Sequence, residues 1–122
     1  MTRARVLIVE DDEDIRVDLA HMLANRGYAT STARNGVEAL DELRGSSPPS
    51  LIILDLMMPT MDGWQLRDAL RADPALTAIP VVLVSGAGDL AAAAEAVGAV
   101  AYLAKPFRIA SLVDLVRRYC SR

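Results

Sequence analysis

Three carboxylates stand directly after two apolar runs of the sequence. Glu10 and Asp11 follow the run at 6–9, and Asp55 follows the run at 51–54. Runs that are apolar at every position are typical of parallel strands buried on both faces, and ligands bind at the carboxyl ends of such strands. Asp55 taken alone could also do no more than satisfy the loop after its strand. Carboxylates gathered at one edge repel one another and remain ionised together only when a cation lies among them. This all-oxygen donor set favours Mg²⁺, with Mn²⁺ as the alternative, over Zn²⁺.

A hydroxyl and an ammonium group follow two further apolar runs. Ser85 comes directly after the run at 80–84, and Lys105 comes directly after the run at 99–104. Because parallel strands bring their carboxyl ends to the same edge of a sheet, we expect both side chains to lie beside the three acids. A cation, an ammonium group and a hydroxyl suit the equatorial oxygens of a phosphoryl group, and an in-line carboxylate can act as its nucleophile. The pattern therefore predicts phosphoryl transfer to Asp55.

These positions require strands that alternate with helices along the whole chain. The apolar and β-branched runs predict five strands, at 6–9, 28–33, 50–54, 80–84 and 99–104. Apolar residues at helical spacing predict a helix after each strand. Because crossovers between parallel strands are right-handed, the alternation predicts an α/β fold with a doubly wound, five-stranded parallel sheet. The length favours a single domain, residues 1–122.

The helix boundaries follow from capping residues and helix breakers. Asp12 is well placed to cap the first helix, and Asp62 and Asp89 open the third and fourth. Gly27 and Gly98 are predicted stops for the first and fourth helices. The apolar face of the second helix is expected to comprise Val37, Leu40 and Leu43, and that of the last helix Ile109, Leu112, Val113, Val116 and Cys120.

Composition excludes several classes of function. The net charge of −3 and the isoelectric point near 5.0 argue against direct binding of nucleic acid, and the basic residues form no single stripe. The single cysteine cannot form an internal disulfide, so no oxidising compartment is implied. Apolar stretches are too short for a signal peptide core or a membrane span. We therefore expect a cytoplasmic protein that does not insert into membranes.

Four motifs in order carry a resemblance to a known family. They are Val9-Glu10-Asp11-Asp12, Leu54-Asp55-Leu56-Met57-Met58-Pro59-Thr60-Met61-Asp62-Gly63, Val84-Ser85-Gly86 and Tyr102-Leu103-Ala104-Lys105-Pro106-Phe107. Together they resemble the receiver domain of two-component response regulators, as in single-domain chemotaxis regulators. The resemblance covers essentially the whole chain and implies a flavodoxin-like sheet with strand order 2-1-3-4-5.

The resemblance also implies a role for each site residue. Asp55 would be the phospho-acceptor, with Lys105 binding the phosphoryl group. Ser85 would be the hydroxyl switch residue and Tyr102 the aromatic one. The Mg²⁺ ligands would be Asp11, Asp55 and the backbone carbonyl of Met57, with Glu10 acting on the ion directly or through water. The Lys105-Pro106 peptide bond would be cis.

The function implied is Mg²⁺-dependent transfer of a phosphoryl group to Asp55 from a histidine kinase or a phosphotransfer protein. Phosphorylation would change protein contacts on the face formed by helix four, strand five and helix five, and an output protein would read that face. The domain would catalyse only its own phosphorylation and dephosphorylation. It would be a monomer or a phosphorylation-dependent dimer.

Four alternatives remain open from the sequence. A haloacid-dehalogenase-like phosphohydrolase also uses an aspartate after a strand, but it needs a second acid two residues later, where this chain has Met57. A receiver-like module that binds a partner constitutively would keep the fold but is expected to have lost part of the site. Asp12 could take the metal-binding role given to Asp11, and Tyr102 could be an ordinary packing residue.

The lifetime of the phosphorylated state can be predicted from two further positions. Family members often carry polar side chains two residues after the acceptor and two after the switch hydroxyl, where they steer the hydrolysing water. Met57 and Ala87 occupy these positions here, and neither side chain can orient water. We predict slow hydrolysis of phospho-Asp55, which Met57→Asn should accelerate when decay is followed by intact mass. Rapid decay of the wild type, unchanged by the substitution, would contradict this.

Overall fold

The structure is a computed structural model that describes residues 4–45, 47–55, 63–86 and 90–120. Within these residues strands and helices alternate strictly, beginning with a strand. The strands are β1 (Arg5–Val9), β2 (Ala29–Ala33), β3 (Leu51–Asp55), β4 (Val81–Ser85) and β5 (Ala101–Ala104). The helices are α1 (Glu13–Ala24), α2 (Gly36–Gly45), α3 (Gly63–Arg71), α4 (Leu90–Val97) and α5 (Ile109–Cys120).

The strands that the structure describes form one parallel sheet in the order β2-β1-β3-β4-β5. Val9 pairs with Leu54, and Asp55 pairs with Val84, so the carboxyl ends of the three central strands lie side by side. This architecture confirms the predicted doubly wound fold and its strand order. No helix in the described part of the chain has the length and apolarity needed to cross a bilayer.

The core lies on both faces of the sheet. Successive residues of a strand point to opposite faces, so a strand covered on both sides must be apolar throughout. In β1, Leu7 and Val9 pack toward α2, α3 and α4, whereas Val6 and Ile8 pack toward α1 and α5. The uninterrupted apolar runs of the sequence therefore reflect two helical layers rather than a membrane segment.

Helix ends are determined by the capping residues expected from the sequence. The Asp12 side chain accepts a hydrogen bond from the backbone N–H of Ile15, which makes it the N-cap of α1. Gly98 has a φ of +82°, and the backbone amides of Gly98 and Ala99 both donate to the Ala94 carbonyl at the end of α4. The left-handed conformation of Gly98 costs little because glycine has no Cβ.

All five predicted strands differ from the observed strands by one or two residues, and one predicted helix face differs from the structure. β1 begins at Arg5 rather than 6, β3 covers Leu51–Asp55 rather than 50–54, and β4 begins at Val81 rather than 80. β2 begins at Ala29 rather than 28, and β4 extends through Ser85. β5 begins at Ala101 rather than 99, because Ala99 is used in the cap of α4. Val37 was expected on the buried face of α2 but is exposed, because Gly36, Ala39, Leu40 and Leu43 form that face. The predicted helix starts at Asp62 and Asp89 lie outside the described residues.

Two apolar residues of α1 should differ sharply in their contribution to stability. Leu23 is buried in the layer shared with α5, whereas Val17 on the same helix is exposed. We expect Leu23→Ala to lower the free energy of unfolding by about 3 kcal/mol, because it leaves a cavity in a packed layer. Val17→Ala should change it by less than about 0.5 kcal/mol. Urea denaturation measures both, and similar losses would contradict the described packing of α1.

Candidate functional site

The predicted site residues lie at the carboxyl edge of the parallel sheet. Asp55 is the last residue of β3, and Ser85 is the last residue of β4. Glu10 directly follows β1, and Lys105 directly follows β5. The topology therefore brings residues that are up to 95 positions apart in the sequence to one edge.

The acids form a tight cluster. Among the described residues, Glu10, Asp11 and Asp55 each offer a carboxylate oxygen within 4.8 Å of the other two. Glu10 is only 1% exposed and Asp55 only 5%, whereas Asp11 is open to solvent. Buried carboxylates at this separation repel one another strongly, because little water screens them.

The ammonium group of Lys105 bridges the two buried acids. Its Nζ donates to Glu10 Oε1 at 2.7 Å and to Asp55 Oδ2 at 3.4 Å. Burial lowers the pKa of Lys105, but the hydrogen bond to Glu10 and the negative charges of Asp55 and Glu10 outweigh it, so the net shift is upward. The lysine therefore stays charged and offsets part of the repulsion between the carboxylates.

The loop that carries Lys105 is fastened to the neighbouring strand. The backbone N–H of Lys105 donates to the backbone carbonyl of Ser85 at 3.0 Å, and β4 pairs with β5 through Ser85 and Ala104. The Lys105-Pro106 peptide bond is cis, the isomer that the family resemblance implies. The buried Ser85 and the lysine consequently occupy neighbouring positions at the edge.

Glu10 is fixed by contacts through both its backbone and its side chain. Its backbone N–H donates to the Ala33 carbonyl at 3.0 Å, which continues the β1–β2 pairing past the end of β1. Its Oε2 accepts the backbone N–H of Asp12 at 3.2 Å. Because Asp12 is also the N-cap of α1, the acidic turn from Glu10 to Asp12 is joined to the start of that helix.

Arg16 is a site residue that the sequence analysis missed. Its NH1 donates to the backbone carbonyl of Glu10 at 3.0 Å, and the residue is only 9% exposed. Its NH2 lies 3.9 Å from Oε1 of the exposed Glu13. A signal was available in the helical spacing, because Arg16 lies three positions before Leu19 and seven before Leu23, on the buried face of α1. The guanidinium of Arg16 therefore fixes the backbone of the acidic turn at Glu10.

The chemistry of this donor set fits a hard divalent cation such as Mg²⁺. Carboxylate oxygens from Glu10, Asp11 and Asp55 converge within the span that one ion can bridge, and the exposed Asp11 leaves room for water ligands. Met57, whose carbonyl was predicted as a further ligand, lies outside the described residues. Asp12 is engaged as a helix cap, which favours Asp11 for the metal.

Tyr102 is not part of this cluster. It lies on the edge strand β5 with 47% of its surface exposed, and it pairs in register with Leu83 of β4. Its position three residues before Lys105 remains compatible with either a switch role or an exposed packing role.

Comparison with known proteins identifies the family. The sequence profile described as response regulator receiver domain matches residues 6–117. The chain belongs to the response regulator receiver domain family. Receiver domains of two-component systems are typically phosphorylated on an aspartate, bind Mg²⁺ and interact with histidine kinases or phosphotransfer proteins.

Individual relatives show how far this similarity extends. The DNA-binding transcriptional regulator NtrC of Escherichia coli is 38% identical over 99% of this receiver domain, which spans only 26% of that relative. Sporulation initiation phosphotransferase F of Bacillus subtilis is 31% identical, with 98% of this chain and 95% of that protein covered. The solved structure of Vibrio cholerae chemotaxis protein CheY4 superposes with a TM-score of 0.88 at 31% identity, over 97% of this chain and 99% of that one. The receiver domain is thus about a quarter of the first relative and nearly all of the other two.

Removal of charge from the edge should have opposite effects on stability at two positions. Lys105→Met leaves Glu10 and Asp55 facing each other without their ammonium partner, so we expect a loss of about 2 kcal/mol in unfolding free energy in metal-free buffer. Asp55→Asn removes one of the repelling charges and should raise it by about 1 kcal/mol.

Mg²⁺ provides the control for this pair of variants. Thermal melts in metal-free buffer and with Mg²⁺ measure the stability of each protein. A ligand that binds only the folded state raises the apparent stability, so Mg²⁺ should stabilise the wild type more than Asp55→Asn. Equal stabilisation of both proteins, or a destabilised Asp55→Asn, would contradict the described charge balance.

Proposed function

We propose that this receiver domain accepts a phosphoryl group on Asp55 from the phosphohistidine of a kinase or a phosphotransfer protein, with Mg²⁺ required. The observation that carries the proposal is the position of Lys105 Nζ, within hydrogen-bond distance of Asp55 inside the acidic cluster. A nucleophilic carboxylate, a fixed positive charge and a set of cation ligands are the components that phosphoryl transfer needs.

The transfer exchanges one bond to phosphorus for another. A carboxylate oxygen of Asp55 forms the new P–O bond, and the P–N bond to the donor imidazole breaks with its electron pair left on nitrogen. Lys105 faces the oxygens that gain charge, and Ser85 lies one strand away to donate its hydroxyl to the product. Mg²⁺ held by Glu10, Asp11 and Asp55 would supply further positive charge to the phosphoryl oxygens.

Phosphorylation also changes which group Lys105 contacts. The acyl phosphate adds charge and acceptor oxygens at Asp55, so the ammonium group is drawn from Glu10 toward the phosphoryl group. The Lys105 backbone is bonded to the Ser85 carbonyl, which couples this movement to the ends of β4 and β5. Tyr102, three residues earlier on β5, would then turn inward.

The proposed consequence is a population shift on the face formed by α4, β5 and α5. The exposed Val100 and Tyr102 belong to this face, and the hydroxyl of Tyr119 on α5 donates to the Val100 carbonyl at 3.2 Å. An inward turn of Tyr102 would remove exposed apolar surface there and alter partner preference. An output protein, or a second copy of the phosphorylated domain, would bind this face.

The domain would catalyse only its own phosphorylation and dephosphorylation. It would act in the cytoplasm.

The phosphoryl donor needs a docking surface beside the acidic edge. A groove of about 400 Å³ opens next to Lys105 between α1 and the loop that precedes α5. We name it the α1 groove, and its apolar lining includes Ile15, Leu19, Met22, Phe107 and Ile109. An apolar surface that ends at Lys105 suits the helical face of a phosphohistidine protein, because docking there would present the imidazole to Asp55.

The direct test of the proposed chemistry uses a small phosphoryl donor. We would incubate the wild type and Asp55→Asn with acetyl phosphate, with and without Mg²⁺, and record intact masses. A single phosphoryl adduct that requires both Mg²⁺ and Asp55 is expected. A folded wild type that gains no adduct would favour a module that binds its partner constitutively.

The α1 groove can be tested separately from the chemistry. Met22→Glu places a charge in the apolar lining, so phosphotransfer from a phosphorylated donor protein should slow by about tenfold or more. Phosphorylation by acetyl phosphate should be unchanged, because that donor needs no docking surface. Val37→Glu is the matched control, since Val37 is an exposed valine on α2, outside the groove. Equal loss with both donors, or equal loss in both variants, would contradict the assignment of the groove.

A further inference from the structure

A second cavity lies between α3 and α4, on the face of the sheet that these helices cover. We name it the α3–α4 cavity, and its volume is about 180 Å³. Its apolar lining comprises Leu54, Leu70, Leu76, Ile79, Val81 and Val97. None of the acids of the phosphorylation site, nor Lys105, lines it. The cavity is therefore separate from the site at the strand ends.

The mouth of the α3–α4 cavity is basic. Arg67 and Arg71 lie one helical turn apart on α3 and both line it, beside Thr77 and Gly98. A cavity with an apolar lining and guanidinium groups at its mouth fits a ligand with an apolar body and a negatively charged end.

Arg67 is held in place by contacts within the protein. Its NH1 donates to the Ala96 carbonyl near the end of α4 at 2.7 Å, and its NH2 pairs with Asp68 at 2.6 Å. Its guanidinium carbon also lies 5.6 Å from the centre of the Trp64 ring. These contacts hold α3 against the end of α4 and leave little donor capacity for a ligand.

Arg71 differs from Arg67 in having its donors available. Within the residues that the structure describes, Arg71 has no hydrogen-bond or ion-pair partner in the protein. One terminal nitrogen lies 3.0 Å from the place where a Cβ on Gly98 would stand. The glycine therefore lets the guanidinium lie against the end of α4, at the mouth of the cavity, with its donors unpaired.

We propose that the α3–α4 cavity binds a small organic carboxylate with a compact apolar body, and that Arg71 pairs with the carboxylate. A dry apolar cavity of about 150 Å³ accommodates a molecule of benzene's size, so the volume here suits a single ring or a short branched chain. The planar guanidinium matches a carboxylate with two parallel hydrogen bonds, which a neutral ligand cannot offer equally well. This site does not depend on the phosphoryl chemistry at Asp55.

The position of the cavity relative to Asp55 gives the ligand a route to influence the receiver. Leu54 lines the cavity, and the next residue along β3 is the proposed phospho-acceptor Asp55. Val97, at the end of α4, also lines the cavity. A bound ring would therefore contact both the acceptor strand and a helix of the output face.

Benzoate and benzamide form the decisive pair of probes, because they have the same size and shape but differ in charge. Methyl shifts of Leu54, Leu70 and Val97 would be followed by NMR while each probe is added. We expect benzoate to bind with a dissociation constant of about 1 mM, since it has few atoms, and benzamide to bind about tenfold more weakly.

Arg71→Gln should weaken benzoate binding about tenfold and leave benzamide unchanged. The matched control is Arg118→Gln, which removes an exposed arginine from the last turn of α5. Both variants should keep the wild-type spectrum elsewhere, which establishes that they fold. Equal affinity for both probes, benzoate binding that survives Arg71→Gln, or no shifts up to about 10 mM would overturn the proposal.

Discussion

The pairing of Lys105 with two buried acids is the interaction on which the functional edge depends. Glu10 and Asp55 are almost completely buried and face each other, which is unfavourable unless positive charge lies between them. The ammonium group supplies that charge from a loop that the Ser85 carbonyl holds in place. The charged groups are ordered before a ligand arrives. A phosphoryl group or a cation that enters the cluster would replace some of the contacts that these groups now make with one another. For the proposed phosphoryl transfer, charged groups that are already held at the edge lower the cost of organising the site during the reaction.

The topology explains why the pairing uses a lysine and why it comes from β5. In the order β2-β1-β3-β4-β5, β1 and β3 are neighbours, so their acids meet directly, whereas β4 separates β3 from β5. Neighbouring strands lie about 4.8 Å apart, so the bridging group must reach across about 10 Å from β5 to β3. The flexible four-carbon stem of lysine can contribute to that reach, and the compact ammonium can face two carboxylates together. Both faces of the strands are packed by helices, which keeps their ends fixed while the loops beyond them carry the chemistry.

Sequence reasoning captured the features that depend on periodicity and on the ends of strands. The alternation of strands and helices, the α1 cap at Asp12, and the convergence of Glu10, Asp55 and Lys105 all follow from local patterns and parallel topology. Features set by tertiary packing were missed. Arg16 was not singled out, although it is almost fully buried and donates to the Glu10 carbonyl, and Val37 was expected on the buried face of α2 but is exposed. The preference of Lys105 for Glu10 over Asp55, at 2.7 Å against 3.4 Å, depends on rotamers that no linear pattern encodes. The α3–α4 cavity is likewise a property of how helices pack.

The proposed exchange of partners by Lys105 can be tested with a crystal structure of the domain bound to Mg²⁺ and beryllofluoride, a stable mimic of the phosphoryl group. We expect the mimic to be bound to the Asp55 carboxylate and Mg²⁺ to be held by Glu10, Asp11 and Asp55. We also expect Lys105 Nζ to have moved from Glu10 to within hydrogen-bond distance of a fluoride. An adduct on another residue, a cation bound away from these acids, or a Lys105 that keeps its contact with Glu10 and does not touch the mimic would contradict the proposal.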